Sequence, residues 1–218
     1  MGNLVSEITH DVKKPLTNIR GTLQVLRGKL PEVNDQDKYF NLVEEEIFRL
    51  DGLLKEIVNF SNPYKFELEK RDIARILDRV LKLVEPDLLS GSIVLKKGYQ
   101  EGDFALVDKN QMMEVFLNII LNAIEAMPKG GELTVKTNRN MDAKSGKEFI
   151  QITIGDTGCG ISPENLNLIF DRYFTTKKEG TGLGLAVVER IVKSYGGFVT
   201  VTSEPKKGTS FSVNLPLA

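Results

Sequence analysis

The sequence predicts an α+β protein in which a long helical hairpin precedes a domain of mixed helices and short strands. Three observations predict it. Two long stretches carry apolar residues at three-to-four spacing, one ending at Gly28 and the other beginning near Gln36. Asn62-Pro63 then stops the second stretch. Beyond Tyr64 the pattern changes to short β-rich runs alternating with helical ones, as in a mixed domain.

The first helix is expected over residues 4–27, with Leu4, Val5, Ile8, Val12, Leu16, Ile19, Leu23 and Leu26 along one face and Gly28 as C-cap. At about 1.5 Å per residue it is roughly 36 Å long, more than the side of a small globular domain needs. A turn through Pro31, Asn34 and Asp35 leads to a second helix over residues 36–60, whose face carries Phe40, Val43, Ile47, Leu50, Leu54, Ile57 and Val58. Such a hairpin leaves an apolar face wet, so two copies are expected to pair through residues 4–60 as a four-helix bundle. The expected domains are residues 1–62 and 63–218.

In the second domain Ile73, Ile76, Leu77, Val80, Leu81 and Val84 form a helix face. Strands are expected at 93–96 and 104–107, then a helix over 109–127 with Asp108 as N-cap. Further strands at 132–137 and 149–154 flank a turn region at 140–146. A short helix over 163–169, a loop over 170–181 and a helix over 182–195 follow. Strands at 198–203 and 210–215 close the chain.

Composition narrows the chemistry. Hydrophobic residues at 41% and charged residues at 27% are ordinary for a soluble protein. A net charge of −1 gives no electrostatic case for nucleic-acid binding. One cysteine, Cys159, excludes an intramolecular disulfide framework and a cysteine-based zinc site. With a single histidine as well, a transition-metal cluster is not expected. No apolar run approaches the roughly 20 residues that span a bilayer, and no signal-peptide pattern opens the chain. The expected location is cytoplasmic. Met1-Gly2 runs almost directly into a helix, as in the soluble part of a longer protein.

Four stretches carry candidate chemistry. His10, the only histidine, lies off the densest part of its helix stripe, with Asp11 beside it and Pro15 five residues on. Pro15 has no N–H, so the Asp11 carbonyl loses its helix partner and the helix can bend. Alone, such a histidine reads as a surface residue. On the 109–127 helix, Gln111, Glu114, Asn118, Asn122 and Glu125 form a polar stripe opposite the core face. The stripe reads either as a solvated face or as a metal face, where an Asn122 oxygen suits Mg²⁺.

The third stretch, Ile152 to Ile161, ends a β-branched strand in Asp156, with Gly158 and Gly160 allowing close backbone approach to a ligand. Its carboxylate can accept from the exocyclic amine of adenine, or bond its own turn. Cys159 reads as small filler. The fourth, Lys177-Lys178-Glu179-Gly180-Thr181-Gly182-Leu183-Gly184, opens into a helix and so makes an anion site for phosphates. It is not a P-loop, because no Lys-Ser/Thr follows its glycines.

Taken in order, these stretches resemble the catalytic core of bacterial two-component sensor histidine kinases. Residues 9–16 resemble the H box, residues 118–123 the N box and residues 156–160 the first glycine box. Phe170-Asp171-Arg172-Tyr173-Phe174 is similar to the F box, and Gly180-Thr181-Gly182-Leu183-Gly184 to the second glycine box. Asn122 to Met127 and Phe174 to Lys177 resemble most the nitrogen-regulation and sporulation kinases. The resemblance implies a dimerisation and phosphoacceptor hairpin followed by an α/β sandwich shared with gyrase-type and chaperone ATPases. It implies ATP and Mg²⁺ as cofactors, and a response-regulator receiver domain as partner.

The roles it implies are specific. Neutral His10 attacks the γ-phosphorus of ATP, and Asp11 fixes its tautomer or takes its proton. Asn118, Asn122, Asp156, Gly158 and Gly160 belong to the nucleotide site, with Asn122 on the metal. Arg172, Lys177 and Lys178 supply lid cations, and Gly180, Thr181, Gly182, Leu183 and Gly184 hold phosphate. Two positions depart from the pattern. Lys14 stands where many relatives have the Thr or Asn that supports dephosphorylation of the regulator. Glu125 stands where many have Lys. Two other readings remain: a gyrase-type ATP hydrolase, which would need a glutamate at Asn118, and a nucleotide-binding interaction module without transfer.

Overall fold

In the computed structural model, residues 68–141, 146–177 and 182–218 are described, together with Ile19 and Val43. Ile19 and Val43 are helical and half-buried. The rest of the expected hairpin lies outside the described residues. The chain divides into two compact units, and the one formed by Phe66–Phe174 and Gly182–Ala218 contains most of the described residues.

That unit begins with β1 (Glu69–Asp72), α1 (Ile73–Leu83) and α2 (Glu85–Ser90). Strands β2 (Ile93–Gly98) and β3 (Phe104–Val107) and helix α3 (Lys109–Glu125) follow. Next come β4 (Gly131–Met141), β5 (Glu148–Asp156) and the single turn α4 (Pro163–Leu166). Helix α5 (Gly184–Ser194) and strands β6 (Phe198–Glu204) and β7 (Gly208–Pro216) complete it. Five strands form one sheet in the order β2-β4-β5-β7-β6, with β2 parallel to β4 and the other pairs antiparallel. β1 and β3 make a separate antiparallel pair.

Strand alternation explains the layering. Leu133 and Val135 on β4, Ile150, Ile152 and Ile154 on β5, and Phe211, Val213 and Leu215 on β7 are all buried at alternate positions. The register pairs Val135 with Ile154 and Ile152 with Val213, so these side chains share one face. They join the buried faces of α1, α3 and α5 in one core cluster. The opposite face carries Thr134, Thr153, Ser210 and Ser212, all partly exposed. This is the expected α/β sandwich.

Two helices start at capping aspartates, α3 at the expected Asp108 and α1 at Asp72. Asp72 accepts from the Ala74 and Arg75 N–H groups at 3.0 and 3.4 Å. Asp108 accepts from Asn110 and Gln111 at 2.8 and 3.1 Å. Several boundaries differ from expectation, among them the following. The 163–169 helix is only one turn, α5 begins at Gly184 rather than Gly182, and β4 runs on through Met141. Strand β1 and helix α2 were not expected. Glu-Lys-Arg-Asp has no apolar alternation to mark a strand, and α2 is short, with Pro86 in its first turn.

α3 and α5 pack antiparallel. The first residue of α5, Gly184, meets Asn118 in the middle of α3. At the other end the Tyr195 hydroxyl accepts from the Asp108 N–H at 3.2 Å and donates to Gln111 Oε1 at 2.5 Å. Burial pushes the Tyr195 hydroxyl pKa up, so it stays a donor at neutral pH. Tyr195→Phe removes both bonds with little change of shape. The expected cost is about 1 kcal/mol, read as a lower urea midpoint at unchanged slope.

Candidate functional site

The site is assembled from the middle and last turn of α3, the start of α5 and the adjoining ends of three strands. On α3, Asn118 and Asn122 are half-buried on the polar stripe. Asn118 Nδ2 donates to the Glu114 carbonyl at 3.0 Å, which turns its oxygen outward. A Cβ on Gly184 would stand 2.9 Å from that oxygen, so only glycine lets α5 begin this close to the asparagine. Beside them, burial raises the Glu114 carboxyl pKa and the Arg190 charge partly offsets it.

No side chain caps α5. Its first-turn N–H groups therefore have no side-chain partner, and the positive end of the helix dipole lies beside Asn118, an arrangement that attracts anions. Leu183, just before it, is buried. Gly182 has φ +66°, and a Cβ there would lie 2.4 Å from the Tyr173 carbonyl carbon. The Gly182 carbonyl accepts from the Tyr173 N–H at 2.9 Å, tying the start of α5 to the segment that follows α4. Phe170 packs edge-on against Phe211, with ring centroids 6.5 Å apart.

Asp156 ends β5 on the helix side of the sheet. Its Oδ1 accepts from the Gly158 N–H at 2.8 Å and from the Thr209 N–H at 3.3 Å. Oδ2 has no hydrogen-bond partner among the described residues. Burial pushes its pKa up, and the two N–H bonds partly offset this. The group is an acceptor held by the backbone with one oxygen available for a donor.

The glycines around it act differently from the expectation. A Cβ on Gly158 would meet the Ala126 carbonyl oxygen at 2.5 Å, and one on Gly160 the Glu204 carbonyl oxygen at 2.1 Å. The close approach is thus to the chain's own backbone. Cys159 is also not filler: its side chain is exposed, while its N–H donates to the Ala126 carbonyl and its carbonyl accepts from Lys206 N–H.

Arg172 is exposed in the turn after α4. Lys177 belongs to the other unit, where its N–H donates to Thr175 Oγ1 at 3.1 Å. His10, Asp11, Lys178, Gly180 and Thr181 lie outside the described residues. Three residues of the site carried no sequence signal strong enough to single them out. Thr209 holds Asp156 through its N–H, and Ser203 bonds Thr209. Gly208 has φ +114°, and a Cβ there would stand 1.9 Å from the Asp156 carbonyl oxygen. The only hint is the Gly-Thr pair opening the last strand. Gly208→Ala is expected to cost about 1–3 kcal/mol of stability, seen as a lower denaturation midpoint.

Comparison with known proteins agrees with this geometry. The model for histidine kinase-, DNA gyrase B- and HSP90-like ATPases matches residues 107–218, and that for the His kinase A (phospho-acceptor) domain matches residues 1–63. Sporulation kinase C of Bacillus subtilis (strain 168) is 37% identical over 216 residues, which cover 98% of this chain and 48% of that protein. Among solved structures, a mycobacterial sensor histidine kinase, MprB, aligns at TM-score 0.59 and 27% identity, over 69% of this chain and 97% of that one. The histidine kinase ThkA in complex with the response regulator protein TrrA aligns at TM-score 0.68 over 100% of this chain and 62% of that one. At 22% identity it speaks to the fold alone. The chain spans about half the length of the curated relatives it matches. Among the described residues, no helix is long and apolar enough to cross a membrane. With a phosphoacceptor-domain match ahead of an ATPase-domain match, the chain belongs to the histidine kinase-, DNA gyrase B- and HSP90-like ATPase family, as a two-component histidine kinase core.

Proposed function

We propose that this chain binds ATP between α3, the Asp156 loop and the start of α5, and phosphorylates itself on His10. It then passes the phosphoryl group to an aspartate of a response-regulator receiver domain. The observation that carries the reading is the pairing within one unit of an uncapped, glycine-led helix start beside Asn118 with an inward carboxylate, Asp156. The first suits phosphates and the second an amino-purine. The phosphoacceptor-domain match over residues 1–63 contains His10.

In this reading the domains are residues 1–62 for dimerisation and phosphoacceptance and 63–218 for nucleotide binding. Two copies pair through residues 4–60, and the catalytic region acts in the cytoplasm. A neutral ring nitrogen of His10 attacks the γ-phosphorus, and the bond from phosphorus to the ADP oxygen breaks. Asp11 orients the imidazole or takes its proton. Phosphoryl transfer depends mostly on positioning and charge neutralisation. Asn118 and Asn122 offer amide oxygens, hard donors that fit Mg²⁺, and Asn122 would hold it. When bound, the ion supplies charge neutralisation on the phosphates. Gly182, Leu183 and Gly184 lead the chain into the anion-binding turn, with Gly180 and Thr181 before them. Arg172, Lys177 and Lys178 contribute positive charge. A hydrolase reading is disfavoured because Asn118, an amide, cannot act as general base toward water.

The test is incubation with γ-labelled ATP and Mg²⁺, with analysis of the label on protein. Acid-labile, alkali-stable label is expected, as a phosphohistidine gives. Phosphate release without protein label would instead indicate the hydrolase. Nucleotide binding with neither would indicate an interaction module.

A further inference from the structure

The Asp156 site contains a hydroxyl relay whose polarity is set by one serine. Ser203 lies at the end of β6, on the same side of the sheet as Val199 and Val201, which pack against the core. Its Oγ accepts from the Ile161 N–H at 2.8 Å, donates to the Gly208 carbonyl at 2.9 Å, and lies 3.0 Å from Thr209 Oγ1. One side chain thus ties the loop after Asp156 to the start of β7.

A serine hydroxyl has one proton, and a carbonyl oxygen can only accept. The Ser203 proton therefore belongs to the Gly208 carbonyl, and in the contact with Thr209 the threonine donates. That assignment consumes the only side-chain proton of Thr209 and leaves its Oγ1 with lone pairs alone. The Thr209 N–H is already given to Asp156 Oδ1. Thr209, whose N–H holds the carboxylate from the adjacent strand, then adds its Oγ1 as a second acceptor to Asp156 Oδ2. Such a pair accepts the 6-amino group of adenine, or a water donating beside it, and repels the 6-keto oxygen of hypoxanthine or guanine. Without Ser203, the Thr209 hydroxyl could rotate and present its proton to a keto oxygen.

We propose that Ser203 is a specificity-determining positioning residue, which selects amino-purine over keto-purine nucleotides by fixing the Thr209 hydroxyl as an acceptor. The proposal rests on the reading that Asp156 recognises the base. It adds the residue that sets the hydrogen-bond polarity there.

The experiment measures equilibrium binding of ATP and ITP to the full chain by calorimetry. The proteins are wild type, Ser203→Ala, Ser203→Thr, Thr209→Val and Asp156→Asn. Ser203→Ala is expected to weaken ATP and to leave ITP unchanged or tighter, lowering the ATP-to-ITP preference roughly fivefold to tenfold, the worth of one neutral hydrogen bond. Ser203→Thr, which keeps a hydroxyl, is expected to restore the preference. Thr209→Val should lower it too, and adding Ser203→Ala to it should lower it no further.

Equal weakening of both nucleotides in Ser203→Ala would make Ser203 a merely structural residue and overturn the proposal. An unchanged preference in Thr209→Val would also overturn it, whether or not Ser203→Ala folds. An unchanged preference in Asp156→Asn would instead remove the base-recognition reading beneath it. Asp156→Asn lowering the preference while Ser203→Ala does not would leave that reading standing and end this one alone.

Discussion

His10→Gln is expected to reduce protein-bound label from γ-labelled ATP to background while leaving ATP binding within about twofold of wild type. The chain contains no second histidine to take over as acceptor. Glutamine keeps a helix-compatible, uncharged side chain of similar reach, but its amide nitrogen has no available lone pair to attack phosphorus. Every described residue placed at the nucleotide lies beyond residue 107, within the ATPase-family match. Binding and labelling should therefore separate. The check is label retained on protein beside nucleotide affinity by calorimetry, on both variants. Acid-labile label persisting on His10→Gln would defeat His10 as the acceptor. A large loss of ATP affinity would show that the hairpin shapes the nucleotide site.

The second large effect is expected at Asp156. Asp156→Asn should weaken ATP binding about 100-fold, in the range for losing a charge-assisted hydrogen bond from a partly buried site. The amide also places an N–H₂ where the carboxylate had only acceptors. Two backbone donors, from Gly158 and Thr209, already occupy Oδ1, so the asparagine oxygen is drawn to them and its nitrogen faces the ligand. Calorimetry with ATP reads the affinity. A change under about threefold would count against base recognition by this residue.

The same group sets a pH dependence. Burial raises the Asp156 pKa, so it takes up its proton at higher pH than an exposed aspartate does. Only the ionised form keeps both oxygens as acceptors. ATP affinity is therefore expected to begin falling above the ordinary carboxylate range as pH is lowered, and the fall should be absent in Asp156→Asn. Its contribution to folding has the opposite sign. With the folded pKa above the unfolded one, that contribution is present below the unfolded pKa and is lost as pH rises through the folded value. Affinity and this part of stability thus move oppositely with pH, which titrations of wild type and Asp156→Asn would resolve.

Much of the second domain was legible because its period is strong. The α1 face, Ile73, Ile76, Leu77, Val80 and Leu81, is buried as its spacing predicts, and so is the alternation of Ile150, Ile152 and Ile154. The Asp108 cap and the core face of α3 were equally plain. Elements without a period were not. β1 is Glu-Lys-Arg-Asp and exists because β3 offers it backbone partners. The single turn of α4 stops where periodicity would have carried it on: Ile169 still reaches the core and Leu168 is exposed, but the chain tightens into a turn in which the Leu168 N–H donates to the Asn165 carbonyl at 2.8 Å.

Residue types and their order were enough to establish the family, the polar stripe with Asn118 and Asn122, the carboxylate at Asp156 and the glycine-led helix start. Each is local: a helix period, a strand end, a loop opening into a helix. Tertiary structure decided what these groups touch. It put Asn118 against Gly184, set Gly158 and Gly160 against the backbone of Ala126 and Glu204, and gave Asp156 its two N–H donors. It also brought Ser203 and Thr209 to a carboxylate some fifty residues earlier in the chain. Those contacts depend on β5, β6 and β7 pairing in one register, and on hydrogen bonds that no local period encodes.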